Sequence, residues 1–328
     1  MFRVHVPVLR DSIAFVPIAI VDLLRKASAL PGVRRAVEPL LVAVGSSLTV
    51  TAAGGIAVKC QARIADVTTT DLVIVPPVDP DLTEHLAQNA AVVPWLRTLY
   101  ARGADVASAC TGAFLLGDAG LLDNRSATTH WAFQDRLARA FPKTRVLPQA
   151  IIVDQGRILT AGGATSFLNL VLHIVERLHG IEVSRACTRS FLVDPNKSPQ
   201  SAYAIFASQK SHGDPEILRA QELIEQRPAH VPTVARLAKL IAMSPRTFAR
   251  RFVAATGNTP LAYTQRVRIE AAKRALEAGA RVGTVAHGVG YSDEASFRRL
   301  FGSLTGLSPA EYRARYGPAS APATIRRK

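Results

Sequence analysis

Cys110 and His130 are the two side chains best suited to covalent chemistry: a thiol that can attack an electrophilic carbon and an imidazole that can take its proton. Cys110 falls where the strand-like run ADVASA meets the helix-forming run TGAFLLGDAG. A strand–turn–helix junction projects a side chain over a sheet edge toward a helix N-terminus, a setting that lowers a thiol pKa. The same place also suits a small buried cysteine that fills space, and the residues alone leave both readings open. Cys60, Cys110 and Cys187 have no close pairing, which argues against a disulfide framework and a cysteine zinc cluster. His173 and His179 are six apart and do not form a metal pair, so no metal and no cofactor is expected.

The elements that must carry this pair alternate in type. Residues Phe2–Val8, Leu40–Val44, Asp71–Val75, Asp105–Ala109 and Ile158–Ala161 read as short buried strands. Leu82–Arg102, Trp131–Ala140 and Ser166–Leu178 read as helices. That alternation predicts a parallel sheet covered on both faces, with ligands gathering at the carboxyl ends of the strands. The rule selects Pro76–Pro77, Cys110 and Gly162–Thr165. In TAGGATSF, two glycines and hydroxyl residues stand at an expected helix start, where free backbone N–H groups favour an anion such as a carboxylate. A close helix–strand turn would need the same glycines. The ligand-site candidates are therefore Cys110, Thr111, His130, Gly163 and Thr165.

A second constellation lies near the C-terminus. Ser244, Phe248, Phe252, Thr256, Gly257, Pro260 and Tyr263 are echoed 49 residues later by Asp293, Phe297, Phe301, Thr305, Gly306, Pro309 and Tyr312. Each copy reads as a helix opened by a capping residue, with two phenylalanines four apart on its buried stripe. The opposite stripes carry Arg246, Ala249 and Arg250 in the first copy and Ala295, Arg298 and Arg299 in the second. A further helical segment and a tight turn precede each copy, with Thr233 a candidate N-cap and Leu237 and Ile241 on an apolar face. PLAYTQRVRIEAAKRALEAG between the copies reads as a connecting helix closed by Gly279.

The segments SPRTFARRF, TGNTPLAYTQRVRIEAAKRAL and VGYSDEASFRRLFGSLTGLSPAEYRARY resemble the C-terminal domain of AraC/XylS-type transcription regulators. The resemblance covers about 100 residues and implies an all-α, seven-helix domain with two helix-turn-helix units. By position in that pattern, Arg246, Ala249 and Arg250 face bases in one unit, and Glu294, Ala295 and Arg299 in the other. Arg298 serves either a phosphate or a base.

DVASACTGAFLLGDAGLLDNRSATTHW and TAGGATSFLNLVLHIVERLHG resemble the PfpI, or class I glutamine amidotransferase-like, superfamily. Its fold is a flavodoxin-like α/β sandwich with a cysteine elbow and a nearby histidine, positions matched by Cys110 and His130. Joined to an AraC-type domain, this architecture is similar to the GlxA-type regulators, whose resemblance implies small nitrogen-containing metabolites as effectors. Enzymes of the superfamily commonly carry glycines after the strand equivalent to DLVIVPP, where backbone N–H groups hold an oxyanion. Pro76 and Pro77 stand here instead, and proline has no N–H. Asp22 is the nearest counterpart of the family's amino-terminal glutamate, and Asn169 stands where relatives carry an acidic residue. The expectation is a sensor with vestigial Cys110 and His130, not an enzyme. The alternative is a cysteine-dependent hydrolase or amidase-like enzyme using the same two residues.

Charge and length fit this division. Among 328 residues, 48% hydrophobic, there is material for about two cores. The net charge of +15 is concentrated late in the chain: +10 falls after residue 210 and +5 before it. A pI near 10.4 favours a polyanion through phosphate neutralisation. The expected order is a sensor domain at 1–193, a linker at 194–213, a DNA-binding domain at 214–316 and a disordered tail at 317–328. The expected partners are double-stranded DNA, a small-molecule effector, RNA polymerase if the protein activates, and a second copy of the chain. The glycine- and serine-broken apolar stretch at 40–58 predicts no membrane span, and no signal peptide is evident, so the expected location is cytoplasmic.

Overall fold

A computed structural model describes residues 1–78, 82–163, 165–193, 200–206, 209, 210 and 212–318. The chain divides into two compact units, Met1–Gln200 and Ser201–Lys328. The expected linker has a mixed fate. Its described residues include Gln200, buried in the first unit, and Phe206, packed against a core of the second. Residues 194–199, 207, 208 and 211 of that linker, and 319–328 of the expected tail, lie outside the described residues.

The strands of the first unit are β1 (Phe2–Val8), β2 (Val37–Ala43), β3 (Thr49–Ala52), β4 (Ile56–Lys59), β5 (Ala62–Arg63), β6 (Leu72–Val75), β7 (Asp105–Ala109), β8 (Ser126–Ala127), β9 (Arg145–Val146), β10 (Ile152–Asp154) and β11 (Ile158–Ala161). Seven of them form one sheet in the order β10-β11-β7-β6-β1-β2-β5. Its central runs, such as LVIV in β6, are buried on both faces, which is why they read as continuous apolar segments. Ile74, Ala107 and Ala109 face one core, together with Ile20, Leu24, Phe167 and Leu170 from the helices Phe15–Ser28 and Ser166–His179. Val73, Val75 and Val106 face the other, with Leu96, Leu99 and Phe114.

The sheet departs from the all-parallel expectation at one edge. β10 pairs antiparallel with β11 because only Gln155–Arg157 separate them, too few residues for a crossover, and Gly156 supplies the turn at φ 76°. The expected Leu82–Arg102 helix is two, Leu82–Gln88 and Val92–Ala101. At the break, buried Asn89 turns its carboxamide to the backbone of Arg10: its Oδ1 accepts the Arg10 N–H at 2.9 Å and its Nδ2 donates to the Arg10 carbonyl at 3.2 Å. Trp131–Ala140 opens as a 3₁₀ turn, Trp131–Phe133, before the α-helix Gln134–Ala140.

The second unit carries seven α-helices from Pro215 to Tyr316 among its described residues. They enclose two cores. The 18-residue helix Pro260–Glu277 serves both, giving Tyr263 and Val267 to the first and Ile269, Ala272 and Leu276 to the second. The sequence echo is an echo of structure. Phe252 meets Tyr263 at a ring separation of 5.3 Å and Phe301 meets Tyr312 at 5.4 Å, both edge to face. The hydroxyls of Thr256 and Thr305 bond back to the carbonyls of Phe252 and Phe301, and Gly257 and Gly306 close their helices at φ 71° and 73°.

Candidate effector site and nucleic-acid interface

The two repeated helices, Pro245–Thr256 and Glu294–Thr305, are opened as their sequences predict. Ser244 Oγ accepts the Thr247 N–H at 3.2 Å. The Asp293 carboxylate accepts the N–H groups of Ala295 and Ser296 at 3.0 and 2.9 Å. Donation by the Ser296 hydroxyl and these amides holds the Asp293 carboxyl below the ordinary range, so the cap stays ionised. Thr233 caps the preceding helix Val234–Leu240 through the Arg236 N–H, completing a helix-turn-helix in the first half. Val282–Gly288 is its counterpart in the second.

Burial of the phenylalanine stripe leaves the opposite stripe outward. Arg246, Arg250, Ala295, Arg298 and Arg299 are exposed, and Ala249 and Glu294 are half-buried. The two stripes differ in electrostatics. Among the described residues, neither Arg246 nor Arg250 meets an acidic partner. Arg298 is tied to Glu294 through Nε at 2.9 Å and a second nitrogen at 2.5 Å, and Arg299 donates to Ser296 Oγ at 2.9 Å. Arg251, next to Arg250, faces inward and clamps Asp214 at 2.8 and 3.0 Å and Glu216 at 2.8 Å, fixing the start of the first helix of the unit.

In the first unit, Cys110 stands immediately after β7 with φ 56°, a left-handed backbone that costs a residue with a Cβ about 1–2 kcal/mol. Two hydrogen bonds hold the turn: the Thr129 hydroxyl donates to the Cys110 carbonyl at 2.8 Å, and the Thr111 hydroxyl to the Val78 carbonyl at 2.6 Å. Gly112 is required by crowding, since a Cβ there would stand 2.7 Å from the carbonyl oxygens of Val75 and Pro76. The elbow geometry thus matches its sequence. Its electrostatics do not: burial pushes the Cys110 thiol up to about 11, outweighing the hydrogen bonds from Thr111, so the expected lowering by a helix start is absent.

His130 Nδ1 accepts the Ala132 N–H at 3.1 Å and so caps the 3₁₀ turn. A backbone N–H only donates, so the neutral ring carries its proton on Nε2. Burial holds this imidazole below its ordinary pKa. Among the described residues no hydrogen bond joins Cys110 to His130. Pro76 and Pro77, both buried, present no N–H beside the elbow.

Gly163 lies against His130, and a Cβ on it would be 3.4 Å from His130 Cδ2. The glycine N–H groups expected to be free for an anion are already used. Gly162 donates to the Ile151 carbonyl at 2.8 Å and Gly163 to Gln200 Oε1 at 2.9 Å. Thr165 occupies the N-cap position of Ser166–His179, exposed and with no side-chain cap bond. Four of the five ligand candidates, Cys110, Thr111, His130 and Gly163, therefore cluster at the ends of β7 and β11, with Thr165 exposed at the start of the helix that follows β11. Sequence reasoning missed Thr128, Thr129 and Gln200, which meet here. Asn169 lines a separate 590 Å³ groove with His173 and Arg189, and Asp22 is exposed on Phe15–Ser28.

Comparison with known proteins follows this division. Residues 237–315 match the model of a helix-turn-helix domain, and residues 21–177 that of the DJ-1/PfpI family. The chain is 30% identical to the HTH-type transcriptional regulator GlxA of Rhizobium meliloti over 238 residues, which is 70% of this chain and 72% of that protein. The chain belongs to the GlxA-type family of helix-turn-helix transcriptional regulators. The chain carries both matched regions and is a DNA-binding transcription regulator of that type. The chain is also 31% identical to the isonitrile hydratase of Pseudomonas putida over 140 residues, 42% of this chain and 58% of that enzyme. The oxidized DJ-1 of Toxoplasma gondii superposes with a TM-score of 0.50 at 26% identity, covering 58% of this chain and 98% of that one. No helix among the described residues is long and apolar enough to cross a membrane.

Proposed function

We propose that this GlxA-type regulator reads an asymmetric DNA site with two unequal helices, under the control of a small nitrogen-containing metabolite bound by the first unit. The carrying observation is the pair of capped helices whose inner stripes are alike and whose outer stripes differ. Arg246, Ala249 and Arg250 read one segment of major groove, and Ala295 and Arg299 the next, about 34 Å or one helical turn further on. Glu294 and Arg298 enter the second groove as an ion pair that must loosen before Arg298 can bind a phosphate or a base. A homodimer in the cytoplasm, contacting RNA polymerase where it activates, completes this reading.

The first unit is a sensor in this reading, not a catalyst. A thiol near 11 is almost wholly protonated at neutral pH. His130 would have to break its cap bond at Nδ1 to accept the proton, and Pro76 and Pro77 cannot serve an oxyanion. The kinship with an isonitrile hydratase favours one second reading, a cysteine-dependent enzyme. Selecting bound duplexes from a random pool with the full chain tests the first. The expected outcome is enrichment of one non-palindromic motif per protomer with two unequal parts. Recovery of no motif would overturn it.

A further inference from the structure

Gln200, the last residue of the first unit, buries its carboxamide in a slot at the ends of β7 and β11, where it is 3% exposed. Its Oε1 accepts the Gly163 N–H at 2.9 Å. Its Nε2 lies 2.8 Å from the Ala150 carbonyl, 3.1 Å from the Thr129 carbonyl and 3.1 Å from Thr128 Oγ1. An N–H only donates and a carbonyl only accepts, so these partners fix which end of the amide is oxygen. Thr128 is held in turn: its N–H donates to Thr160 Oγ1 at 2.9 Å and its hydroxyl to the Ala150 carbonyl at 2.9 Å.

Gly162 is part of the same construction. Its φ is outside the left-handed region, so its backbone does not demand glycine. A Cβ there would collide with the Gln200 carboxamide, and that space is the reason for glycine. One donor opposite a cluster of acceptors is the complement of a primary carboxamide. A carboxylate would set an oxygen against two carbonyls, and an ammonium would set its hydrogens against the Gly163 N–H.

We propose that this slot is a binding site for a small primary carboxamide, and that Gln200 is its resident intramolecular occupant. A free carboxamide competes with Gln200, and its binding releases the chain directly ahead of Ser201, where the DNA-binding unit begins. The proposal rests on the reading of the first unit as a sensor and names both its ligand class and the residue that reports occupancy. Because the occupant is tethered, the free ligand binds wild type only through the fraction of molecules with the slot open.

The probe is propionamide, the side-chain analogue of glutamine, with propionate as the control lacking the N–H groups. Binding to the full chain is followed by ligand-observed NMR, with a thermal melt to establish that each variant is folded. Gln200→Ala is expected to bind propionamide about tenfold or more tightly than wild type, and propionate not at all. Gln200→Glu, which places a carboxylate against the carbonyls, should open the slot in the same way. Adding Gly162→Ala to either variant should abolish binding by filling the space. Equal propionamide affinity in wild type and both Gln200 variants, or retention of binding in the Gly162→Ala double variants, would overturn the proposal. Propionamide binding that leaves duplex selection by the full chain unchanged would instead sink the sensor reading and leave the slot measurement standing.

Discussion

Tyr312 donates its hydroxyl to the Glu277 carboxylate at 2.6 Å, joining the last helix of the second unit to the end of its connecting helix. Tyr263 makes the same bond to Glu225 at 2.5 Å in the first half. Burial and the Glu277 charge both raise the Tyr312 pKa above its ordinary value near 10. A group whose folded pKa is raised stabilises fully below its unfolded pKa and loses that contribution as pH rises. Stability should therefore decline above about pH 10. Tyr312→Phe should cost about 1.5–3 kcal/mol at neutral pH, as expected for a hydrogen bond to a charged group. Denaturant titration of wild type and variant at pH 8 and 10.5 should show the difference shrinking at the higher pH; a constant difference would contradict this.

The paired aromatic cores make a second prediction. Phe252 and Phe301 are fully buried, so truncating either to alanine should cost about 3–5 kcal/mol through lost contact and cavity. Each loss should be largest in its own half of the second unit, read by amide hydrogen exchange. Uniform deprotection of the whole unit by either variant would show that the two cores are not separate.

Cys110 should react slowly. With the thiol pushed up to about 11, its alkylation at pH 7.5 should be far slower than that of an unperturbed cysteine, and should speed up as pH rises toward 11. Peptide-resolved alkylation kinetics check this. Rapid, pH-independent modification of Cys110 would contradict the sensor reading and favour the enzyme.

Three histidines of the first unit disfavour its fold toward acid. Burial holds His5, His130 and His179 below their ordinary pKa, with the nearby charges of Arg3 and Arg34 adding to the effect at His5 and His179 and Glu38 opposing it at His5. These depressed values mean that the unfolded chain binds more protons below about pH 6.5. Their contribution is complete above that pH and is lost as pH falls. The thermal midpoint of the first unit's transition should drop between pH 7.5 and 5.5; a flat or rising midpoint would contradict the assignment.

The parts legible in sequence are those where one physical rule acts alone. The strands β1, β7 and β11 carry the bounds their apolar runs predict, because burial on both faces leaves no competing signal. The repeated helices were legible from cap, phenylalanine stripe and terminal glycine acting together. Phe15–Ser28 was not, although Val16, Ile20, Leu23, Leu24 and Ala27 recur at helical spacing, because exposed Phe15 and Ile18 blur the contrast between its faces. The elbow at Cys110 was legible, but its thiol's raised pKa depends on how deeply the fold encloses it. Gln200 was invisible: 37 residues separate it from Gly163, and only the folded sheet brings them together. Pairing of Arg298 with Glu294 follows from their i,i+4 spacing once both stand on one helix, and it makes the second outer stripe less positive than the first.

The central claim is that the two outer stripes read different base pairs. Arg250→Ala and Arg299→Ala in the full chain, each titrated against the selected site, its single-base variants and random duplex, test it most directly. The account predicts that each substitution weakens binding to the selected site by about 1–3 kcal/mol and relaxes discrimination at one base pair, a different one for each arginine. Equal losses on selected and random duplex for both variants, with no base pair relaxed, would contradict it and reduce these arginines to phosphate contacts.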